Sequence, residues 1–355
     1  MTVNGLSFLT KQSSPLCSAN KKTILMNFER IHVMKKIIAL LMCAVLALGI
    51  LAGCSKEATP DAIRVFTLKG PTGMGMAKMI YDASSNETAP YQFTVAAAPD
   101  EITAEIINGN YDIAALPTNL AALLYAKTGG ELMIGAVNTL GVLYVLENGN
   151  TIQSIEDLAG RTIYATGKAS TPEYVLNYIL AANNIQCEVI YLTEHSELAT
   201  QMSAGSVVIG MLPVPNATTV LNGNKEVRIA LNLTEEWEKA AEKNGDDGAL
   251  YQGCVVIRRE FAEKYPSAVK AFLEEYKASV DFVNNTPEEA AGVIAEVGII
   301  PAAPVALKAI PDANIVCIVG DEMRIGLDGF FKVLYKFDPA SVGGNVPDEN
   351  IYYKQ

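Results

Sequence analysis

Short apolar runs of strand length alternate with longer stretches of helical period from about residue 62 onward. Ile63 to Leu68 (IRVFTL) reads as a strand. The loop Lys69-Gly70-Pro71-Thr72-Gly73 follows, then a helical stretch with Met76, Met79 and Ile80 on one face. Thr162 to Thr166 (TIYAT) is a second strand, followed by the loop Gly167 to Pro172, a helix from Glu173 to Ala182, and a strand at Cys187 to Leu192 (CEVIYL). Strands alternating with helices predict parallel sheets built from βαβ units. Phe261 to Val283 has the period of one amphipathic helix, with Phe261, Val269, Phe272 and Tyr276 on its buried side. Glu235 to Gly248 is charged, ends at Asn244-Gly245, and reads as a solvated helix and turn.

The pattern occurs twice. EITAEIINGNYDIAALPTNLA, from Glu101 to Ala121, aligns with ELATQMSAGSVVIGMLPVPNA, from Glu197 to Ala217, at a constant offset of 96 residues. Gly109 matches Gly205, Ile113 matches Ile209, Leu116 matches Leu212 and Pro117 matches Pro213. In each copy a helix ends at a glycine, a short apolar strand stops at a proline, and a new helix begins. One position differs in kind: Val208 stands where the first copy has Asp112. Between the copies, Met133 to Leu146 reads as two strands broken at Asn138-Thr139, and Tyr251 to Ile257 (YQGCVVI) reads as a strand leading back. Two chain crossings there predict a discontinuous first lobe, residues 62–140 with 258–355, and a second lobe at 141–257.

The N-terminal part has a different character. Met34, ahead of Lys35 and Lys36, is expected to be the true start, with residues 1–33 an upstream mis-start. Lys35 and Lys36, the apolar run Ile37 to Leu51, and the small residues Ala52 and Gly53 have the three-part layout of an export signal over residues 34–53. The run Leu51-Ala52-Gly53-Cys54 resembles a bacterial lipobox, which makes Cys54 the expected lipidation site, carrying diacylglycerol on sulfur and a further acyl chain such as palmitate on its amine. Two or three chains hold a protein on a bilayer where one is marginal. Residues 54–61 are then a linker.

Residues 1–53 hold six of the 27 basic residues and one of the 39 acidic ones, so the remaining 302 residues carry a net charge of −17. A surface that acidic repels nucleic acid and anionic lipid. Its length exceeds the usual single-core size of about 250–300 residues, which also favours two lobes. Cys187, Cys254 and Cys317 are isolated in apolar runs and read as buried free thiols. His195 is the one histidine after the signal, and it reads as capping a turn. No metal site and no cofactor are expected.

The lipobox followed by two pseudo-symmetric α/β lobes resembles the type II solute-binding proteins of ABC importers, closest to the nitrate, sulfonate, taurine and thiamine-precursor group. QSIEDLAGRTIYATG (Gln153 to Gly167) and NGNYDIAALPTNLAALL (Asn108 to Leu124) carry the resemblance, which covers nearly all of residues 62–340. It implies an α/β, two-lobed type II periplasmic-binding-protein-like fold, each lobe a mixed, mostly parallel sheet flanked by helices. It also implies an extracytoplasmic, lipid-anchored monomer that captures a small solute by lobe closure and delivers it to ABC permease subunits.

Ligands of open α/β sheets sit at the strands' C-terminal ends. That rule selects Thr72, Gly73 and Met74 at the first helix start, Thr118 and Asn119 after Pro117, and Asn138 and Thr139 near the first crossing. In the second lobe it selects Lys168, Ser170 and Thr171 at a helix start, with Pro215 and Asn216 as the counterparts of Thr118 and Asn119. Ser170 and Thr171 also fit plain N-capping, and Lys69 and Lys168 fit solvated loop charges. Helix N-termini with hydroxyls and lysines, and no carboxylate, favour an anionic or acceptor-rich solute. The alternatives are a ligand sensor for a membrane receptor and a biosynthetic enzyme on the same fold. The export signal and the lack of a catalytic motif speak against the enzyme.

Cys54→Ala is expected to abolish incorporation of radioactive fatty acid and to slow processing. Equal label on wild type and variant would remove the lipobox reading.

Overall fold

The computed structural model describes residues 59–86, 88–246 and 248–354. The expected export signal over residues 34–53 and the expected lipidation site Cys54 lie outside them. Among the described residues no helix is long and apolar enough to cross a membrane.

Among the described residues eleven strands form two sheets. The first has the order β11-β4-β10-β3-β1-β2, from β1 (Ile63–Leu68), β2 (Tyr91–Ala96), β3 (Ile113–Pro117), β4 (Leu132–Thr139), β10 (Gly253–Arg258) and β11 (Ile315–Ile318). The second has the order β7-β6-β8-β5-β9, from β5 (Leu143–Asn148), β6 (Thr162–Ala165), β7 (Glu188–Tyr191), β8 (Ile209–Pro213) and β9 (Val227–Asn232). Strands β1, β2 and β3 are parallel, as are β6, β7 and β8. β10 runs antiparallel to both its neighbours, and so does β5. Each of these reversed strands follows directly on a chain crossing. The sheet that receives the chain takes it in against the direction of its own βαβ units. The repeated segments occupy equivalent places, β3 in one sheet and β8 in the other.

Four sequence expectations need correction. The sequence pattern groups the strand after the second crossing with residues 141–257, yet β10 pairs with β3 and β4 of the first sheet. Cys254 to Ile257 are buried on both faces, so the strand has no alternation that would mark its sheet. The break between β4 and β5 falls at Leu140–Val142, two residues past Asn138-Thr139. The helix expected over Phe261 to Val283 is two, Arg259–Lys264 and Pro266–Asn285. Pro266 disfavours a helical conformation at the residue before it, and Tyr265 sits at φ −132°, ψ 55°. Phe261, Val269, Phe272 and Tyr276 are nonetheless all buried. Finally, the helix Leu233–Asn244 is solvated on one side only. Trp237 is fully buried against Tyr178 and Phe330, with ring centroids 4.5 and 5.5 Å away.

Asp112 anchors the first sheet from within. Arg64 Nε donates to its Oδ2 at 3.1 Å, and Arg258 Nη2 donates to its Oδ1 at 2.9 Å. Burial opposes the charge, but these hydrogen bonds outweigh it and hold the carboxyl below its ordinary range. Val208, its counterpart, is exposed, and the second sheet uses Glu147 with Arg228 instead, at 2.8 Å.

Asp112→Ala would strand two guanidinium groups, at the start of β1 and the end of β10. A loss of about 3 kcal/mol in urea unfolding is expected, at the low end for a broken buried pair because Arg64 is partly solvated. Since the folded carboxyl titrates below its ordinary value, this contribution is present at neutral pH and disappears on acidification through that lowered value.

Candidate ligand-binding site

The C-terminal ends of β1, β3 and β4 meet at one edge of the first sheet, together with the start of the reversed strand β10. Gly253 of β10 is paired to Pro117 on one side and Thr139 on the other. Four side chains are buried there: Thr67 on β1, Thr118 at the start of the helix Thr118–Lys127, and Asn138 and Thr139 on β4. The Oγ1 of Thr67 and Thr139 and the Oδ1 of Asn138 have no hydrogen-bond partner. Thr118 Oγ1 has none either by ordinary geometry, and the Cys254 thiol beside it is at most a weak one. Unpaired buried polar atoms are costly and rare, so their clustering here makes this end of the sheet the candidate ligand site.

The backbone around this cluster is bare. A Cβ on Gly73 would lie 2.0 Å from the Leu68 carbonyl oxygen, and one on Gly253 would lie 2.4 Å from Asn138 Oδ1. Asn138 Nδ2 donates to the Thr72 carbonyl at 3.3 Å. Gln252 braces the junction. Its backbone N–H donates to Thr139 O at 3.0 Å, its carbonyl accepts from Thr118 N at 3.1 Å, and its Oε1 accepts from Val142 N across the first crossing.

The second sheet contributes the facing side. Thr171, first residue of the helix Thr171–Ala182, donates from Oγ1 to Asn119 Oδ1 at 2.8 Å, and both residues are buried. This bond joins the two sheets' helix starts directly. Pro215 comes close to Gly70: a Cβ on that glycine would lie 4.0 Å from Pro215 Cδ. Thr166, just past β6, is fully buried, and its hydroxyl lies 2.6 Å from His195 Nδ1. The Tyr191 hydroxyl, at the end of β7, is buried without a partner.

The expected residues therefore divide. Thr72, Gly73, Thr118, Asn119, Asn138, Thr139, Thr171 and Pro215 come together. Asn216, half-buried, starts the helix beyond Pro215. Met74 is fully buried in the apolar core. Ser170 occupies the N-cap position but makes no side-chain cap bond. Lys168 is exposed and makes no hydrogen bond or ion pair among the described residues, and Lys69 is exposed as well. Thr67, Thr166, Tyr191, His195 and Gln252 were not anticipated. Thr67 had a legible signal, since it shares the buried phase of β1 with Ile63 and Val65. His195 does not cap a turn. The N-cap is Glu194, and the ring turns inward to Thr166 because the first turn of its helix faces the end of β6. Burial lowers its pKa to about 4, so the ring is neutral at pH 7.

The family model described as "ABC transporter, phosphonate, periplasmic substrate-binding protein" matches residues 84–305. The chain belongs to this family of periplasmic substrate-binding proteins of ABC transporters, which serve transport and are not enzymes. A solved ABC transporter structure from Parabacteroides distasonis is 25% identical, covers 83% of this chain and 99% of its own, and superposes with a TM-score of 0.68. The periplasmic aliphatic sulphonate binding protein SsuA from Escherichia coli is 16% identical over 83% of this chain and 93% of its own, with a TM-score of 0.66. The periplasmic nitrate-binding protein NrtA from Synechocystis is 13% identical over 74% of each chain, with a TM-score of 0.51. The comparison with curated proteins found no match. The fold is thus the two-lobed one of these binding proteins.

Between pH 6.5 and about 4 the unfolded His195 binds a proton that the folded one does not. Stability is expected to fall as pH drops through that window, by about 3 kcal/mol in full. Thermal unfolding across it should be flatter for His195→Gln. An identical pH profile in both proteins would show that His195 does not titrate this way.

Proposed function

We propose that this substrate-binding protein holds a small anionic or acceptor-rich organic solute between its lobes, at the buried cluster of Thr67, Thr118, Asn138 and Thr139. The unpartnered oxygens of that cluster are the observation that carries the reading. The helices beginning at Thr118 and Thr171 start at the same place, as the Thr171–Asn119 bond shows, and the positive ends of their dipoles favour a negative or acceptor group. With Lys168 in solvent, uncharged hydroxyls and helix ends supply the attraction. Chain crossings at Leu140–Val142 and just before β10 act as the hinge, and the Asn119–Thr171 bond belongs to the closed state. Ligand contacts to both lobes then favour closure. Delivery to ABC permease subunits follows, from a protein held at the outer face of the membrane by lipid on Cys54.

Small-angle scattering should show a smaller radius of gyration once ligand is bound, and a profile unchanged at saturation would argue for a rigid body. In titration calorimetry Thr171→Val should weaken binding by about 1 kcal/mol, the worth of one neutral hydrogen bond, while Lys168→Met should cost less. A larger loss in Lys168→Met than in Thr171→Val would overturn the assignment to uncharged donors.

A further inference from the structure

A cavity of about 510 Å³ opens at the opposite end of the first sheet from the cleft. It lies between the helix Ala77–Ser84, the start of β2 and the helix Pro266–Asn285. Tyr91, on its wall, is the first residue of β2 and pairs with Ile63, the first of β1. The cleft residues lie beyond the last residues of these strands, so the two places are separate.

The floor of the cavity includes Ser279, which is 2% exposed and whose Oγ has no hydrogen-bond partner. A serine within a helix can ordinarily turn back to the carbonyl one turn earlier, and this one does not. The rings of Tyr91 and Phe282 line the walls. On the rim, Lys78 Nζ lies 2.6 Å from both Asp82 oxygens and 5.8 Å from the Phe282 ring centroid. That pair is neutral as a unit. Glu275, on the same rim, joins no ion pair among the described residues, and its carboxylate lies near the Tyr91 phenol. Burial first, and then the Glu275 carboxylate, push that phenol above its ordinary value, which keeps it a neutral donor.

We propose that this cavity is a second ligand site, for a small organic ammonium with an aryl or alkyl body. The ammonium sits between the Glu275 carboxylate and the Ser279 hydroxyl, which accepts from it, and the apolar body lies against Tyr91 and Phe282. Aromatic faces attract cations. The volume falls within the usual range for small-molecule sites of roughly 300–1,000 Å³. The acidic character of the chain raises the local concentration of cations. A carboxylate of the same shape would meet Glu275 without compensation.

The test is an NMR titration of the purified protein with 2-phenylethylammonium, using 3-phenylpropionate as the anion of matched shape. Saturable binding of the amine alone is expected. Glu275→Gln, at an exposed position that leaves the fold intact, should weaken it about tenfold, as for loss of a hydrogen bond to a charged group. Ser279→Leu should block the floor. No saturable binding at millimolar amine, equal binding of phenylpropionate, or undiminished binding by Glu275→Gln would each overturn the proposal. The cleft reading is untouched by any of these results, because its own test follows lobe closure.

Discussion

Gln252 is the residue on which the geometry of the cleft depends. Its amide N–H, its carbonyl and its side-chain oxygen each satisfy a different segment: the end of β4, the start of the helix after β3, and the last residue of the crossing into β5. None of these backbone groups could be left unpaired in a buried place without a cost of about 1–3 kcal/mol. One residue, through its backbone and its side chain together, therefore sets the spacing of both chain crossings and of the helix start that carries Thr118 and Asn119. Asn314 reinforces the arrangement, since its carbonyl accepts from Leu140 N and its Nδ2 donates to Gly141 O. In the proposed hinge, rotation is about hydrogen-bonded backbone, so the residues proposed to bind the ligand nearest it keep their mutual positions.

The two lobes repeat a topology without repeating its internal supports. Asp112 locks β1, β3 and β10 through two arginines, and all three of those strands lead to the buried cluster. The second lobe has no such lock at the matching position. Glu147 instead accepts from Thr151, from Ile152 N and from Arg228, at the end of β5 away from the cleft. The first lobe is accordingly the better-fixed half of the site. The second reaches the cleft through helix starts and loops, with Thr171 as its buried contact.

Much of this was legible in the chain. The repeat at 96 residues located β3 and β8, and the stop at a proline followed by a helix start found Thr118, Asn119 and Pro215. Asn138 and Thr139 stood out as polar residues ending an apolar run. Other features depend on distant partners that no local pattern shows. Gln252 looks like any residue before a strand, and its role exists only because two crossings meet there. His195 sits in a polar stretch, and only the fold brings the end of β6 over it. Lys168 has the right residue type in the right loop, but a long solvated side chain gains nothing by turning inward unless a charge waits there. Trp237 was hidden by the charged residues around it, which occupy the other face of the same helix.

Trp237 gives the molecule one further property. It is the only tryptophan in the chain, it is fully shielded, and its indole N–H donates to the Gly248 carbonyl at 3.1 Å. Its ring packs between Tyr178, from a helix of the second lobe, and Phe330, from the long helix near the C-terminus. Any relative displacement of those two helices changes the surroundings of a single fluorophore. The protein thus carries a built-in optical gauge whose emission, free of overlap from other indoles, reports on one seam of the fold.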